Sequence, residues 1–344
     1  MRRYFVWPPI GHSGTKIRDV LTGLDTPFVI DDETGAITFD APVDLFKRTS
    51  VALTGVLSSE ERRATTVLVK EQGVEPGVAD IPDARSLEAV SSFVDAGWLL
   101  SMVDQAQLQI ALSPVVHAEE WSDVFALNAT LHGTDSGGNL IGADQIYRTA
   151  ANACILAPVD RAARVTAIRE IGRTKATQPT FIPFSPSSIY DPEFCLRTTV
   201  AAVKEADLDP GMIIFTMVMN DNPVDIDHLR GILRYYRNAG FQVALNDVGS
   251  GAASLDLLSQ VKPDMIRISP RVATGVADDP YKSIVVRKLL EMAQRLRIDT
   301  VACGIAGEPD AIFLYEHGTT FLEGPLVGAA ETAGQARASR TGEA

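Results

Sequence analysis

The chain has 344 residues, enough for one large domain or for a barrel with a small extra module. Apolar residues make up 46% and charged residues 22%, an ordinary globular balance with material for a sizeable core. The net charge of −13 argues against general binding to a nucleic acid polymer and against docking on an anionic membrane surface.

The basic start Met1-Arg2-Arg3-Tyr4 runs into Pro8, Pro9 and Gly11 rather than into the apolar stretch of a secretory signal. No run reaches the roughly 18 apolar residues of a membrane-spanning helix. Cys154, Cys195 and Cys303 are widely spaced and form no CxxC or Cys/His cluster, so neither a disulfide framework nor a structural zinc site is expected. A cytoplasmic, reducing setting follows, with no metal and no cofactor expected.

Thr15 to Leu24 reads as a short helix. Pro27 to Ile30 and Ala36 to Phe39, joined through Gly35, read as a β-hairpin. Val43 to Glu71 reads as helical, loosened at Gly55 and Ser58-Ser59. Gly73 to Asp83, with Pro76, Gly77 and Pro82, reads as a linker. Residues 1–85 are therefore an α+β extension of no recognised type.

A regular pattern begins near residue 86. A helix over Ser86 to Asp104 leads to strands at Gln109 to Val116 and Asp123 to Leu127, then to a polar loop from Gly133 to Gly142. Helical text fills Ala143 to Gly172. Strands at Phe181-Ile182, Met212 to Met219, Gln242 to Leu245, Met265 to Ile268, Thr300 to Ala302 and Thr320 to Leu322 alternate with helices such as Asp227 to Asn238 and Tyr281 to Arg297. This alternation indicates a parallel α/β fold. Eight strands suit a barrel, although periodicity alone does not separate a barrel from a doubly wound sheet. Residues 333–344 are small and polar and read as a disordered tail.

One segment narrows the choice. Gly240-Phe241-Gln242-Val243-Ala244-Leu245-Asn246-Asp247-Val248-Gly249-Ser250-Gly251 resembles the A-L-D-D-F-G-T-G stretch of the EAL family. Pro263-Asp264-Met265-Ile266-Arg267-Ile268 resembles that family's P-x-D-x-I-K-I-D, Val301-Ala302-Cys303-Gly304 its V-A-E-G, and Leu322-Glu323-Gly324 its A-Q-G. Leu112 to Val116 is similar to Y-Q-P-I-V, and Phe125-Ala126-Leu127 to E-A-L itself. The resemblance covers residues 86–332. It implies a modified (β/α)8 barrel of TIM type whose first strand is reversed, and a family activity of metal-dependent cyclic-di-GMP hydrolysis.

Position by position, the resemblance implies a degenerate site. The metal-holding positions fall at Phe125, Pro183, Phe215, Asn246, Asp247, Cys303 and Glu323, and the base lysine at Arg267. Magnesium and manganese take hard oxygen donors, which phenylalanine, proline and cysteine do not supply. Arginine does not deprotonate to act as a base. Positions that hold substrate have changed as well, to Ser113, Ala129 and Ala330. Phe125 and Phe215 are expected to fill the former metal pocket, and Arg267 to pair with Asp247 or Glu323. Cys303 reads either as a reactive thiol beside that arginine or, preferably, as a small buried residue.

Outside the site, Gly249, Ser250, Gly251 and Ser254 mark a possible partner or dimer loop. Tyr235-Tyr236 with Arg230, Arg234 and Arg237 form a basic aromatic helix that either faces solvent or docks a partner. His117, His132 and His317 read as surface or cap residues. The resulting expectation is a catalytically inactive regulatory or scaffolding protein that acts through a protein partner, a second copy of the chain included. A cyclic-di-GMP receptor without hydrolysis is the alternative, and a residual phosphodiesterase the second.

Overall fold

A computed structural model describes residues 1–135, 137–219, 225–251, 253–329 and 331–332. The chain divides into two compact units, residues 1–105 with 144–156, and residues 106–143 with 157–344. Sequence reading put the division after residue 85. The helix that follows residue 86 packs with the first unit instead, because Leu87 is buried in that unit's core with Val90 and Val94 against it.

The first unit runs β1 (Arg2–Trp7), α1 (Gly11–Gly23), β2 (Phe28–Ile30), β3 (Ile37–Ala41), α2 (Val43–Val56), α3 (Ser59–Ala64), β4 (Thr66–Glu71), β5 (Arg85–Ser86), α4 (Leu87–Asp95) and α5 (Gly97–Asp104). The strands form an antiparallel sheet in the order β2-β3-β1-β4-β5. A βαββαβ chain with its first strand between the third and fourth is a ferredoxin-like arrangement. One face of the sheet, carrying Tyr4, Val6, Ile37, Phe39 and Val67, buries against Ile17, Leu21, Phe46 and Leu53 of the helices.

Besides the two-residue β5, two strands here lie where the sequence reading has none. Arg2–Trp7 is the central strand, with Tyr4 stacked between Phe39 and Phe46 at 5.2 and 4.2 Å. Thr66–Glu71, expected as helix, is β4, and Val67 and Leu68 are both buried there. Its β-branched Thr66, Val67 and Val69 suit a pleated surface better than a helix. Further upstream, Ser58 and Glu61 form a reciprocal capping box that starts α3 and separates it from α2. The linker region contains a 3-10 turn at Val78–Asp83.

The second unit contains β6 (Gln109–His117), β7 (Val124–Thr134) and β8 (Leu140–Gly142). The chain passes through α6 (Ala143–Asn152), counted mostly with the first unit, into α7 (Leu156–Thr174), β9 (Thr180–Phe184), α8 (Pro192–Glu205) and β10 (Ile213–Met217). It continues through α9 (Ile226–Asn238), β11 (Gln242–Val248), α10 (Leu255–Val261), β12 (Met265–Ile268), α11 (Pro270–Ala273), α12 (Pro280–Leu296), β13 (Asp299–Ala302), α13 (Glu308–Glu316), β14 (Phe321–Glu323) and β15 (Glu331–Thr332).

Strands β6, β14, β13, β12, β11, β10, β9 and β7 follow one another around a ring that the β6–β7 pairing closes. β6 is antiparallel to both neighbours, and the other barrel strands run parallel. This is a modified TIM-type barrel with a reversed first strand, as the family resemblance implied. β15 and β8 are short additions outside the ring. The lumen is an apolar core to which all eight strands contribute: Val115, Ala126, Phe181, Ile214, Ala244, Met265, Val301 and Phe321, with Cys303 just beyond β13. The opposite faces of β12, β13 and β14 carry Ile268, Ala302 and Leu322, which bury against α12 and α13.

Candidate functional site

Side chains alternate along a strand, so the lumen residues fix which of their neighbours also point inward. Counting by two toward the carboxyl ends of the parallel strands reaches Asn128 on β7, Pro183 on β9, Thr216 on β10, Asn246 on β11, Arg267 on β12 and Glu323 on β14. Pro183 and Thr216 pair directly, and Asn128 pairs with Phe181 and Ser113. In barrels of this type the carboxyl end is where chemistry is built.

Arg267 organises this end. It is 5% exposed, and one guanidinium nitrogen, Nη2, donates to the Glu323 carboxylate. Nε donates to Asn246 Oδ1 at 3.1 Å, and the guanidinium carbon lies 4.8 Å from the Phe181 ring centre. The remaining nitrogen, Nη1, is buried without a hydrogen-bond partner. Asn246 passes the chain outward by donating to Asp247 Oδ2 at 3.0 Å. Burial pulls the guanidinium pKa down. The adjacent Cys303 and Glu323, with Asp247 beyond, more than offset this and hold it above the ordinary arginine value. Arg267 therefore pairs with Glu323 directly and meets Asp247 only through Asn246.

Local backbone positions these groups. β11 carries a bulge between Leu245 and Val248, so Asn246 and Asp247 together face the β12 residue Arg267. Asp247 takes the extra step with φ 54°, a left-handed conformation that aspartate tolerates better than most residues. After Glu323 the chain turns at Gly324, where a Cβ would fall 2.3 Å from the Ile305 nitrogen, so only glycine lets the two strand ends approach.

Two expected site residues are elsewhere. Phe215 is fully buried but faces away from the lumen, stacked on Tyr236 of α9 at 4.2 Å and edge-on to Phe241 at 5.0 Å. Its neighbour Thr216 points inward, with a buried hydroxyl that has no partner. Phe125 does reach the lumen core, but at the amino end of the parallel strands. It stacks on Phe321, the first residue of β14, at 3.9 Å and lies edge-on to His117, the last residue of the reversed β6. Val116 pairs with Val124 and Val115 with Ala126, which leaves Phe125 as the unpaired residue of a bulge. Neither phenylalanine fills the carboxyl end. The inward-facing residues of β7 and β10 at that end are the polar Asn128 and Thr216.

Cys303 is 7% exposed, and burial pushes its thiol up to about 12 despite the nearby Arg267. It is a neutral, buried thiol rather than a nucleophile.

The glycine-serine loop after β11 is tied to the barrel. Ser250 Oγ donates to Ser269 Oγ at 2.8 Å, Gly249 packs on Val272 and Leu289, Gly251 adopts φ 81°, and Ser254 caps α10 by accepting from Leu257 N at 3.1 Å. On α9, Tyr236 is core rather than docking surface. Arg230 pairs with Asp227 and Gln260, and Arg237 donates to the carbonyls of Val261 and Lys262. A cleft of about 400 Å³ opens between the start of α8 and the length of α9, lined by Glu193, Asp227, Arg234 and Tyr235 among others. His317 does cap its helix end, next to the Phe313 carbonyl, whereas His132 is buried on β7 rather than exposed.

Fold and site together define a TIM-type barrel with one reversed strand and a polar cluster at its carboxyl end. The profile of the EAL domain matches residues 96–330, and the chain belongs to that family. Over 114 residues it is 28% identical to the probable cyclic di-GMP phosphodiesterase PdeD of Escherichia coli, a stretch that is 33% of this chain and 21% of PdeD. Over 132 residues it is 26% identical to the blue light- and temperature-regulated antirepressor BluF of the same organism, 38% of this chain and 33% of BluF. The chain thus spans about a fifth to a third of these relatives. Among solved structures it superposes on a standalone EAL protein from Vibrio cholerae in a c-di-GMP bound form, with TM-score 0.57 and 24% identity over 63% of this chain and 90% of that one. It also superposes on the EAL domain of FimX from Pseudomonas aeruginosa bound to c-di-GMP, with TM-score 0.60 and 15% identity over 71% and 96%. At these identities the superpositions establish the fold.

Proposed function

We propose that this chain is a non-hydrolysing member of the EAL family that acts in regulation by engaging another protein. The observation that carries the reading is the Arg267 guanidinium, buried among the oxygens at the carboxyl end of the barrel and paired with Glu323. Among the described inward-facing residues at this end, Asn128, Pro183, Thr216, Asn246 and Cys303 bring no carboxylate, whereas Glu323, and Asp247 beside Asn246, do. The residues present do not fit a divalent ion. Such an ion takes several hard oxygens, and here Glu323 and Asn246 turn theirs toward a cation that cannot be neutralised. Among the described residues, no three or more His, Cys, Asp or Glu side chains are disposed to hold a metal. Arg267 itself supplies no base, because arginine holds its proton at all working pH values.

The regulatory role rests on analogy, supported by a relative whose name describes an antirepressor rather than a hydrolase. The ferredoxin-like unit and the Gly249, Ser250, Gly251 and Ser254 loop are the surfaces proposed for a protein partner, a second copy of the chain included. A cytoplasmic setting fits the three free thiols, and among the described residues no helix is long and apolar enough to cross a membrane.

A second reading, a receptor that binds cyclic-di-GMP without cleaving it, has one observation in its favour. Arg267 Nη1 is a buried donor without a partner, of the kind a phosphate oxygen satisfies. Calorimetric titration with cyclic-di-GMP, with and without manganese, separates the readings. No heat supports the protein-partner reading, heat without turnover supports the receptor, and turnover overturns both.

A further inference from the structure

We propose that the outer edge of β2 docks an extended segment of a partner protein, apolar at its centre and basic at both ends. The inference rests on the protein-engaging reading above and names the chemistry of the partner. β2 (Phe28–Ile30) ends the sheet of the first unit, and among the described residues only β3 bonds to it. Asp31 N donates to the Ala36 carbonyl at 2.9 Å, and bonded and non-bonded pairs alternate along an antiparallel ladder. Val29, opposite Thr38, is therefore the next bonded pair of that register. The N–H and C=O groups of Phe28 and Ile30 then point away from the sheet. An unpaired row of this kind is a template for an added strand. Val29 is 70% exposed and Ile30 39% exposed, so an added strand would also cover apolar surface.

The charges around this edge choose the occupant. Asp25 precedes β2, and Asp31, Asp32 and Glu33 follow it. Asp31 is spent on the turn, where it accepts from the N–H groups of Glu33 and Thr34 at 3.0 and 2.7 Å. Asp25, Asp32 and Glu33 are exposed and, among the described residues, enter no ion pair. A second β2 pairing antiparallel about Val29 would set Asp25 of each copy opposite Glu33 of the other. Like charges placed opposite one another destabilise a strand pair, and charged edges guard against self-pairing. A segment with Lys or Arg at both ends meets the same carboxylates as opposite charges, which favours its approach and fixes its register.

The test titrates the full chain with a fluorescein-labelled peptide, Lys-Lys-Val-Thr-Val-Thr-Val-Lys-Lys, read by anisotropy and by amide hydrogen exchange. Saturable binding is expected, with slower exchange of the Phe28 and Ile30 amides, and no binding of the same peptide with Glu in place of each Lys. Ile30→Pro removes one outward N–H and leaves the bonds to Thr38 in place, as proline on a sheet edge does. It is expected to weaken binding at least about tenfold at an unchanged Tm, and Asp32→Lys with Glu33→Lys to do the same. If Ile30→Pro does not fold, the charge variant, in an exposed turn, carries the test. A native chain that does not bind the peptide overturns the proposal. Equal binding by the native chain and the folded variants is general attraction to an acidic chain and overturns it too. A native chain that sediments as a dimer and becomes monomeric on Ile30→Pro assigns the edge to a second copy, which also overturns it. Hydrolysis of cyclic-di-GMP by the native chain would instead strike the non-hydrolysing reading and leave the edge standing, so the two failures are distinguishable.

Discussion

Arg267 on β12 reaches past β13 to the Glu323 carboxylate on β14, both side chains at least four-fifths buried. Breaking a buried pair from one side leaves an uncompensated charge, which typically costs about 3–5 kcal/mol, whereas replacing both partners by apolar residues is often neutral or stabilising. Arg267→Leu and Glu323→Leu are each expected to lower stability by roughly that amount in chemical denaturation, and the double variant to recover most of it. Additive losses would show that the pair is not coupled.

Phe215 packs outside the barrel, so its loss should be a core defect and nothing else. Phe215→Ala is expected to cost about 3–5 kcal/mol in denaturant unfolding while leaving any ligand behaviour of the lumen unchanged. A new ligand or metal response in that variant would place the side chain in the mouth after all.

Tyr236 stacks on Phe215 but buries a hydroxyl with no hydrogen-bond partner, and burial raises its pKa to about 12. An unsatisfied buried polar group carries a penalty. Tyr236→Phe is therefore expected to leave the stability unchanged or raise it by up to about 1 kcal/mol. A clear loss in thermal unfolding would reveal a partner for the hydroxyl.

These faces were hard to read from sequence for a physical reason. β10 is buried along its whole length, Ile213 to Met217, so no polar-apolar alternation says which side chains point inward. On β7 the bulge at Phe125 offsets the alternation, so a register carried through it slips. By contrast β12 and α9 are legible, because Arg267 marks the inner face of the strand and the helix carries Leu229, Ile232, Leu233 and Tyr236 at helical spacing, whereas on α12 the apolar Ile284, Val285 and Leu296 are exposed and Val286, Leu289 and Leu290 are buried. β1 is hard to see because its six residues follow a basic start and run into Pro8 and Pro9, and β4 because no glycine or proline separates it from the helical text before it.

In the first unit, the Glu61 carboxyl accepts from Ser58 N, Lys16 and Ser13, and in that order of influence they hold it down to about 2. A carboxyl lowered in the folded state stabilises fully above its unfolded value of about 4.3 and loses that contribution as pH falls toward about 2. The Tm gap between the native chain and Glu61→Gln is expected to be widest near neutral pH and to close between about pH 4.3 and pH 2. A gap that is constant across this range would contradict the assignment.

Cys303 should behave as an inert thiol. With a maleimide at about pH 8, exposed Cys154 is expected to label first, half-buried Cys195 more slowly, and buried Cys303 only on unfolding. Because the folded state raises this pKa, the thiol's contribution to stability is present below the ordinary cysteine value of about 8.5 and fades as pH climbs toward 12. Rapid labelling of Cys303 in the native chain, read by mass spectrometry, would revive it as a reactive group.

The most direct measurement incubates the native chain with cyclic-di-GMP and either Mg²⁺ or Mn²⁺ and follows the linear dinucleotide product by chromatography. With Arg267 in the mouth of the barrel, the expected result is no product above the protein-free control. Metal-dependent product that disappears in Glu323→Gln would contradict the central claim and make this barrel a working phosphodiesterase.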